Sequence, residues 1–112
     1  MSSTNTASDE LRKILTECCN LKWYFPDVTK SIKSLLTDVS EDLSYNLISS
    51  ITDSDGYTVL TLAASRGYTE MCVTLLSSLP QADRLKLILV NKYTALHRAA
   101  FLGDTKTVSG IL

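Results

Sequence analysis

The feature that most constrains the fold is a segment that returns 36 residues later in nearly the same order. Residues 57–67 read Tyr-Thr-Val-Leu-Thr-Leu-Ala-Ala-Ser-Arg-Gly, and residues 93–103 read Tyr-Thr-Ala-Leu-His-Arg-Ala-Ala-Phe-Leu-Gly. The correspondence continues as far as the pair Leu76 and Leu112. A period of this length is typical of repeat proteins, in which each unit buries its apolar face only against a neighbouring unit. The pattern therefore predicts a stack with an extended surface rather than a closed pocket.

Apolar residues at helical spacing predict the elements on either side of this match. Three helices are expected before the first clear copy, beginning after the capping residues Ser8, Asp27 and Ser40. Residues 1–7 are expected to form a flexible tail. Each copy is then expected to contain a helix A and a helix B, separated by a glycine that tolerates positive φ. The predicted ranges are about 59–65 and 69–78 in the first copy, and about 95–102 and 105–112 in the second.

The segment between the two copies predicts one more helix. Pro80 suits the first position of a helix, which is expected to run to about Leu87. The apolar residues that follow in this segment are expected to dock on the stack: Leu85, Leu87, Ile88, Leu89 and Val90.

Both copies resemble the ankyrin repeat, whose hallmark is Gly-x-Thr-Pro-Leu-His-x-Ala-Ala-x-x-Gly-His before a second helix that ends in Leu-Leu. This resemblance covers about residues 53–112. It implies an all-α fold, an ankyrin-like helical repeat solenoid with short hairpin-like turns. This sequence departs from the family by an extra short helix in the inter-repeat connector. We expect residues 8–51 to be a divergent first repeat or an N-terminal helical cap. We expect 52–90 to be one repeat with its connector, and 91–112 to be a second repeat truncated at its second helix.

Several positions depart from the family pattern. Val59 and Ala95 stand where the family has proline, and Lys92 stands where the turn glycine is expected. The turn at Asn91-Lys92 should therefore form less easily than the turn at Asp55-Gly56. The resemblance implies that His97 has a structural role, with its ring hydrogen-bonded to neighbouring backbone, and that Thr58 and Thr94 cap helix A.

Composition excludes several classes of function. The chain has 112 residues, a net charge of −1 and no basic excess, so neither nucleic acid nor an anionic membrane is an expected partner. No apolar run reaches the roughly 20 residues of a membrane span. Three cysteines, two of them adjacent, fit reduced thiols better than a disulfide framework. We therefore expect an intracellular protein, cytoplasmic or nuclear.

No catalytic or metal-binding constellation is apparent, so we expect neither an enzyme nor a cofactor. Cys72 and His97 do not form a convincing nucleophile–base pair, because Cys72 lies on the apolar side of its helix. Residues 53–56 begin like a calcium loop, but Tyr57 and Thr58 stand where a ligand and a glycine are required. Cys18-Cys19 is expected to pack inside, with a redox or acylation site as the alternative. The aromatic stretch 23–26 is also expected to pack inside, with an exposed binding patch as the alternative.

The expected function is a non-catalytic protein–protein interaction module whose partner binds the concave face. By the resemblance, the partner meets the positions just before the Thr and just after the Ala-Ala of each copy. The candidate partner-binding residues are Ser54, Asp55, Tyr57, Ser65, Arg66, Val90, Asn91, Tyr93, Phe101 and Leu102. We expect the chain to be the N-terminal fragment of a longer repeat protein. The alternative is a self-associating element whose open C-terminal repeat face pairs with another copy in a homodimer.

Overall fold

The computed structural model describes residues 3–21, 25–92 and 94–111. Within these ranges the backbone forms eight α-helices joined by short turns. The helices are α1 Ser3–Leu21, α2 Phe25–Thr37, α3 Glu41–Ser50, α4 Val59–Ser65, α5 Thr69–Ser77, α6 Gln81–Val90, α7 Thr94–Phe101 and α8 Thr105–Ile111. The prediction of an all-α repeat fold is confirmed.

The helices lie in three rows. The first row is α1, α4 and α7, the second is α2, α5 and α8, and the third is α3 and α6, with each helix packed on the next in its row. Each tier of the stack takes one helix from each row, so α1, α2 and α3 are arranged like α4, α5 and α6. This arrangement is the one that a divergent first repeat would give, and the choice for residues 8–51 between such a repeat and an N-terminal helical cap stays a prediction.

A second sequence register relates the first tier of helices to the second. Five apolar positions in α2, in α3 and in the turn between them correspond to apolar positions 40 residues later, in α5, in α6 and in the turn between those helices. The pairs are Leu35 and Leu75, Leu36 and Leu76, Val39 and Leu79, Leu47 and Leu87, and Ile48 and Ile88. The offset differs from 36 because the turn 51–58 is four residues longer than its counterpart 91–94. All of these residues are buried except Leu35, which packs half-buried against the core.

Helix ends follow the capping rules. The Thr58 hydroxyl accepts a 3.3 Å hydrogen bond from the Thr61 N–H and so caps α4 as predicted. Gly67 and Gly103 both have φ of +73°, which closes α4 and α7 in the same way. Lys92 also has a positive φ, +53°, at the position that Gly56 holds with φ of +87° in the preceding turn. The expected strain at Lys92 is thus visible in its backbone.

Five details of the sequence prediction were wrong, and one of them is that α2 begins at Phe25, two residues before the expected cap Asp27. The helix α1 begins at Ser3, so Ser8 is a buried residue inside it and the segment 3–7 is helical instead of a flexible tail. Ala7 explains the difference, because it is buried and extends the apolar stripe of α1 by one turn. Pro80 precedes α6 as its N-cap rather than occupying its first helical position, and α6 runs on to Val90.

The other two corrections concern α6 and α7. Only Leu87 and Ile88 of the apolar run are buried, while Leu85, Leu89 and Val90 are exposed. Thr94 is the first residue of α7, and its hydroxyl donates to the carbonyl of Asn91 at 2.5 Å instead of capping the helix.

Arg84 connects α6, the helix in the inter-repeat connector, to the second row by hydrogen bonds. Its Nε donates to the carbonyl of Leu79 at 2.9 Å, and its Nη1 donates to the carbonyl of Gly110 at 3.2 Å. Gly110 also permits a close approach of α8 to α5, because a Cβ at this position would lie 3.3 Å from Cδ1 of the buried Leu76. One side of the third repeat is therefore closely fitted to the second.

Candidate partner-binding surface

The structure separates the predicted binding residues into two groups at opposite ends of α4 and α7. The tip group consists of Ser54, Asp55, Tyr57, Val90 and Asn91, and the turn group consists of Ser65, Arg66, Phe101 and Leu102. Because α4 has seven residues, the groups are about 10 Å apart along the helix axis. Ser65 and Asn91 are half-buried, and the others are exposed. Tyr93 lies outside the described residues.

Asp53 shapes the first turn of the tip group. Its carboxylate oxygen Oδ1 accepts hydrogen bonds from the N–H groups of Asp55 and Tyr57, each at 2.9 Å. The backbone of Asp53 also bonds to Gly56 and Tyr57, which closes the loop. Such a side-chain-to-backbone turn holds Tyr57 in a fixed position at the surface.

Asn91 joins the tips of two successive repeats. Its Oδ1 accepts from the Thr58 N–H at 3.0 Å and from the Thr61 hydroxyl at 2.7 Å, and its Nδ2 donates to the carbonyl of Gly56 at 2.7 Å. Thr58 and Thr61 are buried, so these bonds satisfy groups that water cannot reach. The prediction treated Asn91 as a partner-binding residue, but its side chain is engaged within the protein and fixes the register between repeats.

The turn group presents the most exposed large apolar side chains among the described residues of the third repeat. Phe101 is 78% exposed and Leu102 is 46% exposed. The Arg98 guanidinium lies over the Phe101 ring, 5.6 Å from its centroid, at a distance typical of a cation–π contact. Leu102 leans towards the preceding repeat, where a Cβ on Gly67 would lie 3.7 Å from its Cδ1. The Phe101 and Leu102 side chains therefore lie beside the turns that join helix A to helix B in the second and third repeats.

Asp104 forms a second polar link between repeats. Its Oδ1 accepts from the Thr107 N–H at 3.2 Å and caps α8, while its Oδ2 accepts from the hydroxyls of Thr107 at 2.6 Å and Thr69 at 2.8 Å. Partial burial alone would raise the pKa of the Asp104 carboxyl. The donors at Thr107 and Thr69, with the nearby Lys106, outweigh that effect and hold the pKa below its ordinary value.

Comparison with known protein families decides the classification. A profile described as ankyrin repeats (3 copies) matches residues 25–112. The chain belongs to the ankyrin-repeat family. The profile finds three copies where the sequence analysis recognised two. Comparison with curated proteins and with solved structures gives no significant match.

In this ankyrin-repeat protein, the one histidine does not occupy the expected environment. His97 is exposed on α7, and its ring makes none of the hydrogen bonds seen among the described residues. Its counterpart in the preceding repeat is Thr61, whose hydroxyl bonds to Asn91. The predicted hydrogen bond from the His97 ring to neighbouring backbone is not seen among the described residues, and it stays a prediction because Tyr93, in the turn before α7, lies outside them.

The ankyrin repeats enclose all three cysteines. Cys18, Cys19 and Cys72 are buried and unpaired. Burial raises the pKa of Cys18 to about 11, and the pKa values of Cys19 and Cys72 to about 12. Thiols in this state are mostly protonated at neutral pH and react slowly. Cys72 is enclosed whereas His97 faces outwards, so these two residues do not form a catalytic pair.

Metal binding and membrane insertion find no support in the described residues. No group of three or more His, Cys, Asp or Glu side chains in them is placed to hold a metal ion. No helix in the same part of the chain is long and apolar enough to cross a membrane. Trp23, Tyr24 and the side chains of Phe25 and Pro26 lie outside the described residues, so the packing predicted for that aromatic stretch stays a prediction.

Proposed function

We propose that this ankyrin-repeat protein is a non-catalytic binding module whose protein partner contacts the tip and turn groups on the concave face. Ankyrin repeats are generally protein–protein interaction modules. The observation that supports this assignment most directly is the exposure of Phe101. A phenyl ring that is 78% exposed leaves a large apolar area in water, and burial against a partner would remove it at little entropic cost.

The turn group offers a mixed apolar and cationic contact. Phe101 and Leu102 supply apolar area, while Arg98 over the ring and Arg66 in the adjacent turn supply positive charge. Tyr57, 38% exposed at the tip, adds an amphipathic ring that its turn holds in place. Arginine and aromatic side chains are enriched at the energetic centres of protein interfaces. Three buried, unpaired thiols support an intracellular setting, cytoplasmic or nuclear.

Quantitative affinity capture with two matched variants tests the assignment. The Phe101→Ala/Leu102→Ala variant removes the apolar part of the turn group. Val73→Ala removes an exposed apolar side chain from α5 and serves as the control. A partner of the proposed surface should bind the double variant at least 10-fold more weakly and the control unchanged, as measured by titration of the purified pair. Equal affinity for wild type and the double variant would refute the turn group as the binding surface.

A further inference from the structure

Exposed charge in the third repeat has one sign. Residues 91–112 contain three basic side chains and one acidic side chain, although the whole chain has a net charge of −1. The three basic side chains, Lys92, Arg98 and Lys106, are all exposed. The acidic one is Asp104, which is half-buried with both carboxylate oxygens engaged in the hydrogen bonds described above. The third repeat therefore presents cations to solvent and keeps its carboxylate engaged.

This cationic character is not imposed by the fold. At the equivalent positions the second repeat has Gly56, Leu62 and Glu70, which are neutral or acidic. Glu70 is exposed like Lys106, so the first turn of helix B changes from negative to positive between the two repeats. Because the same backbone accepts neutral and acidic side chains at these positions, packing within the stack does not require the cations.

Two of the cations border the apolar side chains of the turn group. The Arg98 guanidinium lies 5.6 Å from the centre of the Phe101 ring. Lys106 and Leu102 line one groove of about 450 Å³ between the turns that join helix A to helix B, and the engaged Asp104 lines it as well. No salt bridge among the described residues includes Arg98 or Lys106. Positive charge without an internal ion-pair partner therefore lies directly beside exposed apolar area.

The turn group stays accessible where one repeat packs on the next. Ser65 and Arg66 are the counterparts of Phe101 and Leu102, and the third repeat packs beside them. Even so, Ser65 is only half-buried and Arg66 is exposed. The accessibility of these positions comes from their place at the turn, and it does not depend on whether another repeat lies beside them.

We propose that the partner binds the turn group through an acidic peptide segment, in which at least two Asp or Glu side chains flank one large apolar side chain. This inference rests on the proposed function and names the chemistry of the partner. The apolar side chain packs on Phe101 and Leu102, and the carboxylates meet Arg98 and Lys106. A guanidinium that lies over a ring keeps the N–H groups at its edge for a bidentate bond to a carboxylate.

A nucleic acid fits the same surface less well. Nucleic-acid sites follow a run of phosphates with many cations along a groove. Here only two cations border two large apolar side chains, and Glu70 carries a negative charge on the neighbouring helix α5. A short acidic peptide needs only the two cations, and it gains from the apolar contact as well.

Selection of phage-displayed random dodecapeptides on the immobilised 112-residue chain tests the proposal. The retained peptides should be acidic and should carry a large apolar side chain. They are then synthesised and titrated against purified variants. The charge-reversed variant Arg98→Glu/Lys106→Glu should bind them at least about 10-fold more weakly, and affinity for the wild type should fall several-fold as salt rises to physiological strength.

The matched control is Lys30→Glu/Lys33→Glu, which changes the net charge by the same amount at two exposed lysines of α2. It should retain the wild-type affinity, which separates a local contact from an effect of net charge. Urea denaturation should place both variants within about 0.3 M of the wild-type midpoint. Arg98→Gln/Lys106→Gln removes the two charges without reversing them, and it should weaken binding by about 3-fold or more even if the charge-reversed variant is unstable.

The outcomes separate this proposal from the proposed function. Peptides that need Phe101 and Leu102 but bind the charge-reversed variant as tightly as the wild type would overturn the acidic partner and leave the binding surface standing. Peptides that bind Phe101→Ala/Leu102→Ala with wild-type affinity would refute the turn group itself, and the acidic partner with it. Three further results would overturn the proposal: retained peptides without an acidic excess, a selection that retains no peptide, or tighter binding of a single-stranded oligothymidylate than of any peptide.

Discussion

The Thr61 hydroxyl donates a 2.7 Å hydrogen bond to Oδ1 of Asn91, thirty residues further along the chain. This bond crosses from one repeat to the next and lies where both helices α4 and α7 begin. Since Thr61 is buried, the bond is sheltered from competing water. Through this bond, the turn that contains Asn91 in the third repeat satisfies a buried polar group of the second repeat.

Replacement of Asn91 by alanine should therefore destabilise the protein. The change leaves the Thr58 N–H and the Thr61 hydroxyl buried without their acceptor, which should lower the free energy of unfolding by about 2 kcal/mol. Urea denaturation followed by circular dichroism measures the effect. Ser54→Ala, at an exposed position of the same tip group, is the control and should change stability by less than about 0.5 kcal/mol. Similar values for the two variants would contradict the structural role of Asn91.

Lys92 and Gly56 should respond in opposite directions to substitution. Lys92→Gly relieves a side chain held at φ of +53° and should stabilise the fold by about 0.5 kcal/mol after the greater chain entropy of glycine is deducted. Gly56→Ala forces a Cβ to φ of +87° and should destabilise it by about 1 kcal/mol, although nothing lies within 4 Å of that Cβ. Thermal unfolding of both variants checks the signs. If Lys92→Gly destabilised the protein, the lysine side chain would contribute more to the free energy of unfolding than the strain in its backbone costs.

The sequence predicts this fold well where local chemistry decides it. The starts of α4, α5 and α8 were correct, and the ends of α4, α5 and α7 lay within one residue of the prediction. Local chemistry defines several of these ends, because Thr58 caps α4, Asp104 caps α8, and a glycine at positive φ follows both α4 and α7. The first repeat was not assigned with certainty, since the longer turn 51–58 moves its register from 36 to 40. A search that allowed the offset to change would have found the pairs Leu36 with Leu76 and Leu47 with Leu87.

The candidate surface was predictable only in part. Position within the repeat correctly indicated that Phe101 and Leu102 are exposed. It did not reveal that Asn91 is engaged, because a polar turn residue looks the same in sequence whether it faces solvent or a buried threonine. Nor did it reveal that the absence of a side chain at Gly110 leaves room for Leu76, because this depends on the distance between α8 and α5. The contribution of each polar turn residue depends on the neighbouring repeat, which local sequence does not describe.

The buried thiols predict slow chemical labelling. With pKa values of about 11 to 12, Cys18, Cys19 and Cys72 should react with a disulfide reagent at pH 8 at least roughly 100-fold more slowly in the native protein than in guanidinium. All three thiols of the sequence should react at once after unfolding. Rapid native labelling of any of them would contradict the burial.

The same thiols determine how stability responds to high pH. Their folded pKa values exceed the ordinary value of 9.0, so folding is favoured while they are protonated. This contribution is complete below about pH 9 and is lost as the pH rises towards 12. Urea midpoints measured from pH 8 to 11 should fall for the wild type, and Cys72→Ala should show a shallower fall. Parallel curves would show that Cys72 has no part in the dependence.

Asp104 predicts the opposite dependence, at low pH. Because the folded pKa of its carboxyl lies below the ordinary value, its contribution to stability is present above about pH 4 and is lost as the pH falls through the folded value. Asp104→Ala removes the cap of α8 and the acceptor of the Thr69 hydroxyl, so it should cost about 1 kcal/mol at pH 7. The difference in the free energy of unfolding between wild type and Asp104→Ala should narrow at pH 3, whereas Asp55→Ala, at an exposed carboxylate, should show little difference from wild type at either pH.

A double-mutant cycle of Asp104→Ala with Thr69→Ala then isolates the hydrogen bond between repeats, which should give a coupling of at least about 0.5 kcal/mol. Strict additivity would mean that Asp104 acts only within its own helix, and that the apolar contacts between α5 and α8, rather than this polar link, hold the second and third repeats in register.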